Sequence, residues 1–130
     1  STWFLPRLVG MQQALEWFYR ADIIAPEEAL EKGLLRSLHE PDALVEEACV
    51  FARSLVKDRS PVSVALIRQM TLRNSAQPSP RAAHDVDSLA MFYTSIGDGK
   101  EGVNAFLEKR APQFDGKASH MPPFWPWQED

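Results

Sequence analysis

The chain has 130 residues, 45% of them hydrophobic and 25% charged, which suits one ordinary domain with its own core and excludes a disordered segment. Lys and Arg number 14 against 18 Asp and Glu, a formal net charge of -4 that excludes the concentrated basic surface of a nucleic-acid binder. The single cysteine, Cys49, excludes an intramolecular disulfide and a cysteine metal site; with no apolar run of bilayer length and no secretory leader, the expectation is a soluble, cytoplasmic chain.

Taken in order, residues 1–19 are predicted helical with a break at Gly10. Ser1 or Thr2 can cap the first turn; Leu5, Leu8 and Val9 share one side, and Met11, Ala14, Leu15 and Phe18 recur at helical spacing after the break. Ala25-Pro26-Glu27-Glu28-Ala29-Leu30-Glu31-Lys32-Gly33 is a punctuated short helix. Pro stands at the first helical position, carboxylates fill the first turn, and glycine stands where a left-handed cap is needed. Residues 34–38 are predicted as a short strand, the only one in the chain, so its partners must lie elsewhere.

From Pro41 onward the pattern is helical. Asp42 opens a helix to about Lys57 with the stripe Leu44, Ala48, Phe51, Ala52 and Leu55. Ser60 caps a helix starting at Pro61, with Val62, Ala65, Leu66 and Met70 on one face. Residues 74–80 have loop composition, and residues 81–95 form a third long helix aligned on Val86, Leu89, Ala90 and Tyr93. Gly97, Asp98 and Gly99 make a turn with Asp98 as cap. A last helix then spans residues 100–110 on Val103, Phe106 and Leu107, and Pro112 stops it. The stretch beyond, rich in Pro and Trp, has no periodicity; Phe124, Trp125 and Trp127 carry enough apolar area to predict a tail docked in a groove. An apolar opening at Ser1-Thr2-Trp3-Phe4-Leu5 and this far end suggest a piece built to pack against something larger.

Chemistry is sparse. His39, His84 and His120 are isolated, and His84 with Asp85 and Asp87 is an incomplete ligand set, so no metal site is expected. Ser1 and Ser95 sit in no nucleophile elbow, and Cys49 falls mid-helix in apolar company, where a core or half-buried thiol is expected. The carboxylate groups Glu46/Glu47, Asp85/Asp87 and Glu27/Glu28/Glu31 have the spacing of solvated helix faces. At the end of the last helix, Phe106, Lys109 and Arg110 put an aromatic ring beside two cations. That set suits a ligand with an aromatic base and a phosphate, although cations there also stabilise any helix C-terminus.

Four stretches, in order, resemble the crotonase superfamily of enoyl-CoA hydratases and isomerases. They are Thr2-Trp3-Phe4-Leu5-Pro6-Arg7-Leu8-Val9-Gly10, the helix from Ala25 through Gly33-Leu34-Leu35, the closing Lys100-Glu101-Gly102-Val103-Asn104-Ala105-Phe106-Leu107-Glu108-Lys109-Arg110, and Met121-Pro122-Pro123-Phe124-Trp125-Pro126-Trp127. The resemblance covers essentially the whole chain and matches the second half of such proteins. It implies a mainly α chain: residues 1–40 would end a ββα spiral core with the one orphan strand, residues 41–111 would form the helical oligomerisation and CoA-capping region, and residues 112–130 the Pro/Trp-rich docking tail.

The same resemblance implies an enzyme acting on acyl-CoA thioesters through two backbone N–H donors that stabilise an enolate-like oxyanion. In the family those donors and both catalytic glutamates lie in the first half, so no catalytic residue is expected within residues 1–130 and the piece alone should be inert. Phe106 and Lys109 match the closing-helix aromatic and lysine placed near the adenine and phosphates of CoA, often those of a neighbouring subunit. Trp3, Phe4 and Leu5 match residues that help shape the acyl pocket, with packing as their ordinary role, and Phe92 and Tyr93 would approach it from the helical region. CoA enters only as part of the substrate, with no prosthetic group. A homo-trimer or dimer of trimers is implied, with no nucleic-acid or membrane partner. The Trp3-Phe4 pair departs from the smaller or polar pair of straight-chain hydratases, which leaves hydration, isomerisation, dehalogenation and carbon–carbon cleavage all open. The alternative is a non-enzymatic helical module for self-association or protein interaction, in which residues 34–38 pair with another copy or form no strand.

Overall fold

The computed structural model describes residues 1–120 and Pro122. The described residues hold seven helices and no strand. They fall into two compact units, one covering Ser1–Phe51 and a second beginning at Ala52.

In the first unit, α1 (Leu5–Val9) and α2 (Met11–Arg20) are separated at Gly10, whose φ of 85° lies in the region that favours glycine. The Gly10 N–H still donates to Pro6 O at 3.0 Å and its carbonyl accepts from Ala14 N at 3.1 Å, so the break leaves few backbone groups unpaired. Helix α2 buries Ala14 and Trp17, and α3 (Pro26–Glu31) buries Ala29. Trp17 Nε1 donates to Glu28 Oε1 at 2.7 Å, tying the two helices where the indole would otherwise bury an unpaired N–H. Arg20 reaches the same carboxylate at 3.3 Å while also pairing with Glu16 and Asp22. The punctuation of α3 acts as expected. Pro26 opens it, Gly33 has φ 79°, and Leu34 N donates to Ala29 O at 2.8 Å while Gly33 N donates to Leu30 O at 3.1 Å, the paired bonds of a Schellman ending.

Two expectations fail here. Residues 34–38 form bends and irregular backbone rather than a strand. Apolar residues make a strand only when a ladder partner is present, and the described residues offer none. The second concerns α4 (Leu44–Val56), which has the predicted length and stripe but no buried residue. Leu44, Val45, Val50, Leu55 and Val56 are each about half exposed or more, and Cys49 is exposed rather than packed. Periodicity states which side of a helix prefers burial; it does not supply the surface that buries it.

In the second unit, α5 (Pro61–Asn74) and α6 (Pro80–Ile96) pack through Val62, Leu66 and Ala90, with Met70 and Tyr93 alongside. Both start on serine caps. Ser60 Oγ accepts from Ser63 N at 3.2 Å, as predicted, and Ser79 Oγ accepts from Arg81 N at 3.2 Å. Helix α7 (Asp98–Glu108) follows and buries Ala105. Asp98 is not the cap of its own helix. Its carboxylate accepts from the buried Ser60 hydroxyl and from Gly116 N at 3.2 Å, joining the starts of α5 and α7 to the chain beyond α7. Nor does Pro112 stop α7, which ends four residues earlier at Glu108 and is followed by Lys109 at φ 55°. The predicted docking of Phe124, Trp125 and Trp127 lies outside the described residues.

Candidate functional site

The candidate site residues divide between the units. Trp3, Phe4 and Leu5 belong to the first; Phe92, Tyr93, Phe106 and Lys109 belong to the second.

At the start of the first unit, Trp3 and Phe4 meet edge to face with ring centroids 4.7 Å apart. The Arg7 guanidinium lies 4.0 Å over the Trp3 ring and its Nη1 donates to Trp3 O at 2.8 Å. A cation stacked on an indole and tied to the same residue's carbonyl fixes that ring's plane. Phe4 is nonetheless 59% exposed, and Leu5 is half-buried. The pair is therefore a shaped aromatic surface on the first turn of the chain. On α6, Tyr93 packs on the Val62–Leu66–Ala90 cluster while the neighbouring Phe92 stays exposed, as successive residues on a helix must diverge.

The end of α7 is built differently. Ala105 faces inward and is buried, which turns Phe106 outward, 82% exposed. The helix then closes around Lys109. Arg110 N donates to Ala105 O at 3.0 Å and Lys109 N donates to Phe106 O at 3.3 Å, with Lys109 itself in the left-handed region that non-glycine residues avoid. The two cations that follow the aromatic ring have different fates. Arg110 is committed: Nη2 donates to Glu101 Oε2 at 2.9 Å and Nε to Glu108 Oε2 at 2.6 Å. Lys109 has no ion pair among the described residues.

Glu101 also accepts from Gln113 N at 2.7 Å. The Arg110 bonds, followed by that backbone bond, hold its carboxyl at about 2, well below the ordinary 4.5. Arg110 is raised in turn, first by its bond to Glu101 and then by Glu108. Nothing in the spacing singled out Glu101 beforehand. Nine residues separate it from Arg110 and twelve from Gln113, distances that helical periodicity does not register.

Three hollows accompany these residues. One of 470 Å³ lies where α6 meets α7, lined by Ser95, Gly99, Lys100, Val103 and Asn104. A more apolar groove of 390 Å³ runs between α5 and α6, with Leu66, Ile67, Met70 and Met91 among its walls. In the first unit a hollow of 550 Å³ is lined by Arg36, whose guanidinium lies 3.7 Å over Phe51, and by Ser37 and His39, whose Oγ and Nε2 are 2.7 Å apart. Among the described residues no group of three His, Cys, Asp or Glu is placed to hold a metal ion, and no helix is long and apolar enough to cross a membrane.

The family model described as Enoyl-CoA hydratase/isomerase matches residues 1–117. An enoyl-CoA hydratase of Alternaria alternata is 36% identical over 117 residues, covering 88% of this chain and 38% of that protein. The 1,2-epoxyphenylacetyl-CoA isomerase of Escherichia coli is 32% identical over 120 residues, covering 90% of this chain and 44% of its own length. Among solved structures, an enoyl-CoA hydratase from Bacillus anthracis superposes with a TM-score of 0.75 at 30% identity, over 87% of this chain and 43% of that one. The chain thus spans less than half the length of the relatives it matches.

Proposed function

The chain belongs to the enoyl-CoA hydratase/isomerase family, and from that premise we propose that it is the C-terminal portion of an enzyme acting on acyl-CoA thioesters. In this reading the two backbone N–H donors that stabilise the thioester oxyanion belong to a part of the protein outside these 130 residues, and no catalytic group lies within them. This portion contributes binding: Phe106 offers a ring face to the adenine and Lys109 a cation to the phosphates of CoA. Trp3, Phe4 and Leu5 are assigned to the acyl side of the substrate, as are Phe92 and Tyr93 on α6. CoA is part of the substrate, and no prosthetic group is involved.

The observation that supports this reading best is the contrast at the end of α7. An aromatic ring left 82% exposed stands three residues from a lysine with no ion pair among the described residues, while the adjacent arginine is fully engaged. Such an arrangement suits a ligand carrying both a π face and negative charge. Residues 1–40 are read as the end of the spiral core, 41–111 as the helical capping region, and 112–130 as a docking tail. The stripe of α4, with no residue buried and Leu44 and Leu55 about half exposed, favours a homo-oligomer, a trimer or a dimer of trimers, as the state in which that face is covered.

Calorimetric titration of the chain with CoA tests the reading. Binding that is weakened about tenfold, yet still measurable, in Lys109→Ala and also weakened in Phe106→Ala supports it. Stable self-association by analytical ultracentrifugation with no CoA binding sinks it in favour of a helical self-association module.

A further inference from the structure

We propose that Glu101 is a positioning residue for the Lys109 end of α7, acting through a strap formed by residues 110–116; the inference rests on the reading that this end faces CoA. The chain leaves α7 and turns back along it, and three contacts follow in order. Glu101 takes Arg110 through both carboxylate oxygens and Gln113 through its N–H. The Phe114 ring lies against Gly102, where a β-carbon would meet it at 3.9 Å. Gly116 N then reaches Asp98 on the first turn of the helix.

Glu101 stands at the centre of this return, and its two acceptor oxygens serve two purposes. Holding Arg110 withdraws that guanidinium from any anionic ligand, so of these two neighbouring cations Lys109 is the one that presents charge there. Holding Gln113 fixes the path of the chain after Lys109, which keeps Lys109 in its left-handed conformation. A residue at φ 55° persists only where its surroundings determine it, and here the determining bonds come from both sides: Arg110 N to Ala105 O, and Arg110 side chain to Glu101. Glu108 also touches Arg110 but is 61% exposed at its side chain and bonds nothing further along the strap.

Two measurements test this on the full chain. In the first, trypsin cleavage after Lys109 and Arg110 is timed by mass spectrometry for the unaltered chain, Glu101→Gln, Glu101→Ala and the control Glu108→Gln. Cleavage at these bonds accelerates by about tenfold in Glu101→Ala, less in Glu101→Gln and little in Glu108→Gln, because a bidentate charge-assisted contact is lost only in the first two. Cleavage after Arg59, Arg68 and Arg73 stays unchanged; acceleration everywhere, or nowhere, overturns the inference.

In the second, CoA affinity is measured around the cycle Glu101→Gln, Lys109→Ala and the double variant. The loss caused by Glu101→Gln disappears when Lys109 is already alanine, a result that a general structural role for Glu101 does not give. An equal loss in both backgrounds overturns the inference. Local acceleration of cleavage with no CoA binding by any variant supports the strap and overturns the CoA reading instead.

Discussion

Replacing Ser60 by alanine removes one hydroxyl that performs two tasks. As cap of α5 it accepts from Ser63 N at 3.2 Å, and loss of such a cap costs about 1 kcal/mol. As donor it reaches the Asp98 carboxylate from a site only 7% exposed, and a hydrogen bond to a charged group contributes roughly 1.5–3 kcal/mol. Asp98 keeps its bond from Gly116 N after the substitution, so it is not left wholly unpaired. That places the sum near the lower end, about 2.5 kcal/mol. Urea unfolding followed by circular dichroism reads it as a lowered midpoint at constant slope. Ser60→Thr retains the hydroxyl and loses less than about 1 kcal/mol. A cycle with Asp98→Ala isolates the tie. A Ser60→Ala loss below about 1 kcal/mol, or coupling to Asp98 below about 0.5 kcal/mol, refutes the double role.

The other predictions follow from single features. Lys109→Gly relieves the left-handed backbone and raises stability by roughly 0.5–1 kcal/mol while weakening CoA binding, so urea midpoint and calorimetric affinity move in opposite directions. The Glu101 carboxyl lies at about 2 in the folded chain against an ordinary 4.5, so its contribution is complete above the ordinary value and disappears as pH falls from there toward 2. Trypsin-independent markers of the strap, such as the amide exchange of Gln113, register that loss in acid, and Glu101→Gln abolishes the pH dependence. Cys49, exposed on α4, reacts with a thiol reagent in the native chain at the rate of a free thiol; self-association that covers α4 slows the labelling as concentration rises.

What was legible in the sequence was whatever depends on neighbours a few residues away. Gly10 marked the break between α1 and α2, Gly33 its left-handed cap, Pro26 and Pro61 their helix starts, and Ser60 its cap, because each is decided within one helical turn. Expectations failed where the deciding partner was distant or absent. Residues 34–38 have strand composition without a ladder. Cys49 lies on α4, none of whose residues is buried by the described residues. Asp98 was read as a local cap when its partners are 38 and 18 residues away. The site divides the same way. Phe106 and Lys109 are proposed from residue type, spacing and resemblance, whereas Glu101 was invisible because the contacts that distinguish it form only when the chain doubles back. Lys109 in a left-handed turn was equally illegible, since glycine is the usual signal for that conformation.

The Asp98 clasp also bears on the order of events when the second unit forms. Helices α5 and α6 are neighbours in sequence and share the Val62–Leu66–Ala90 contacts, so their association closes only a short loop. The clasp needs Ser60, Asp98 and Gly116 together, which requires α7 and the return of the chain to be in place already. It is expected to close after the α5–α6 contacts, acting as a latch on the way out rather than a guide on the way in. Severing it at Ser60 is then expected to speed unfolding more than it slows folding, so the hydroxyl and carboxylate bear on the lifetime of the folded unit more than on its rate of formation, a difference read from the two arms of a urea chevron.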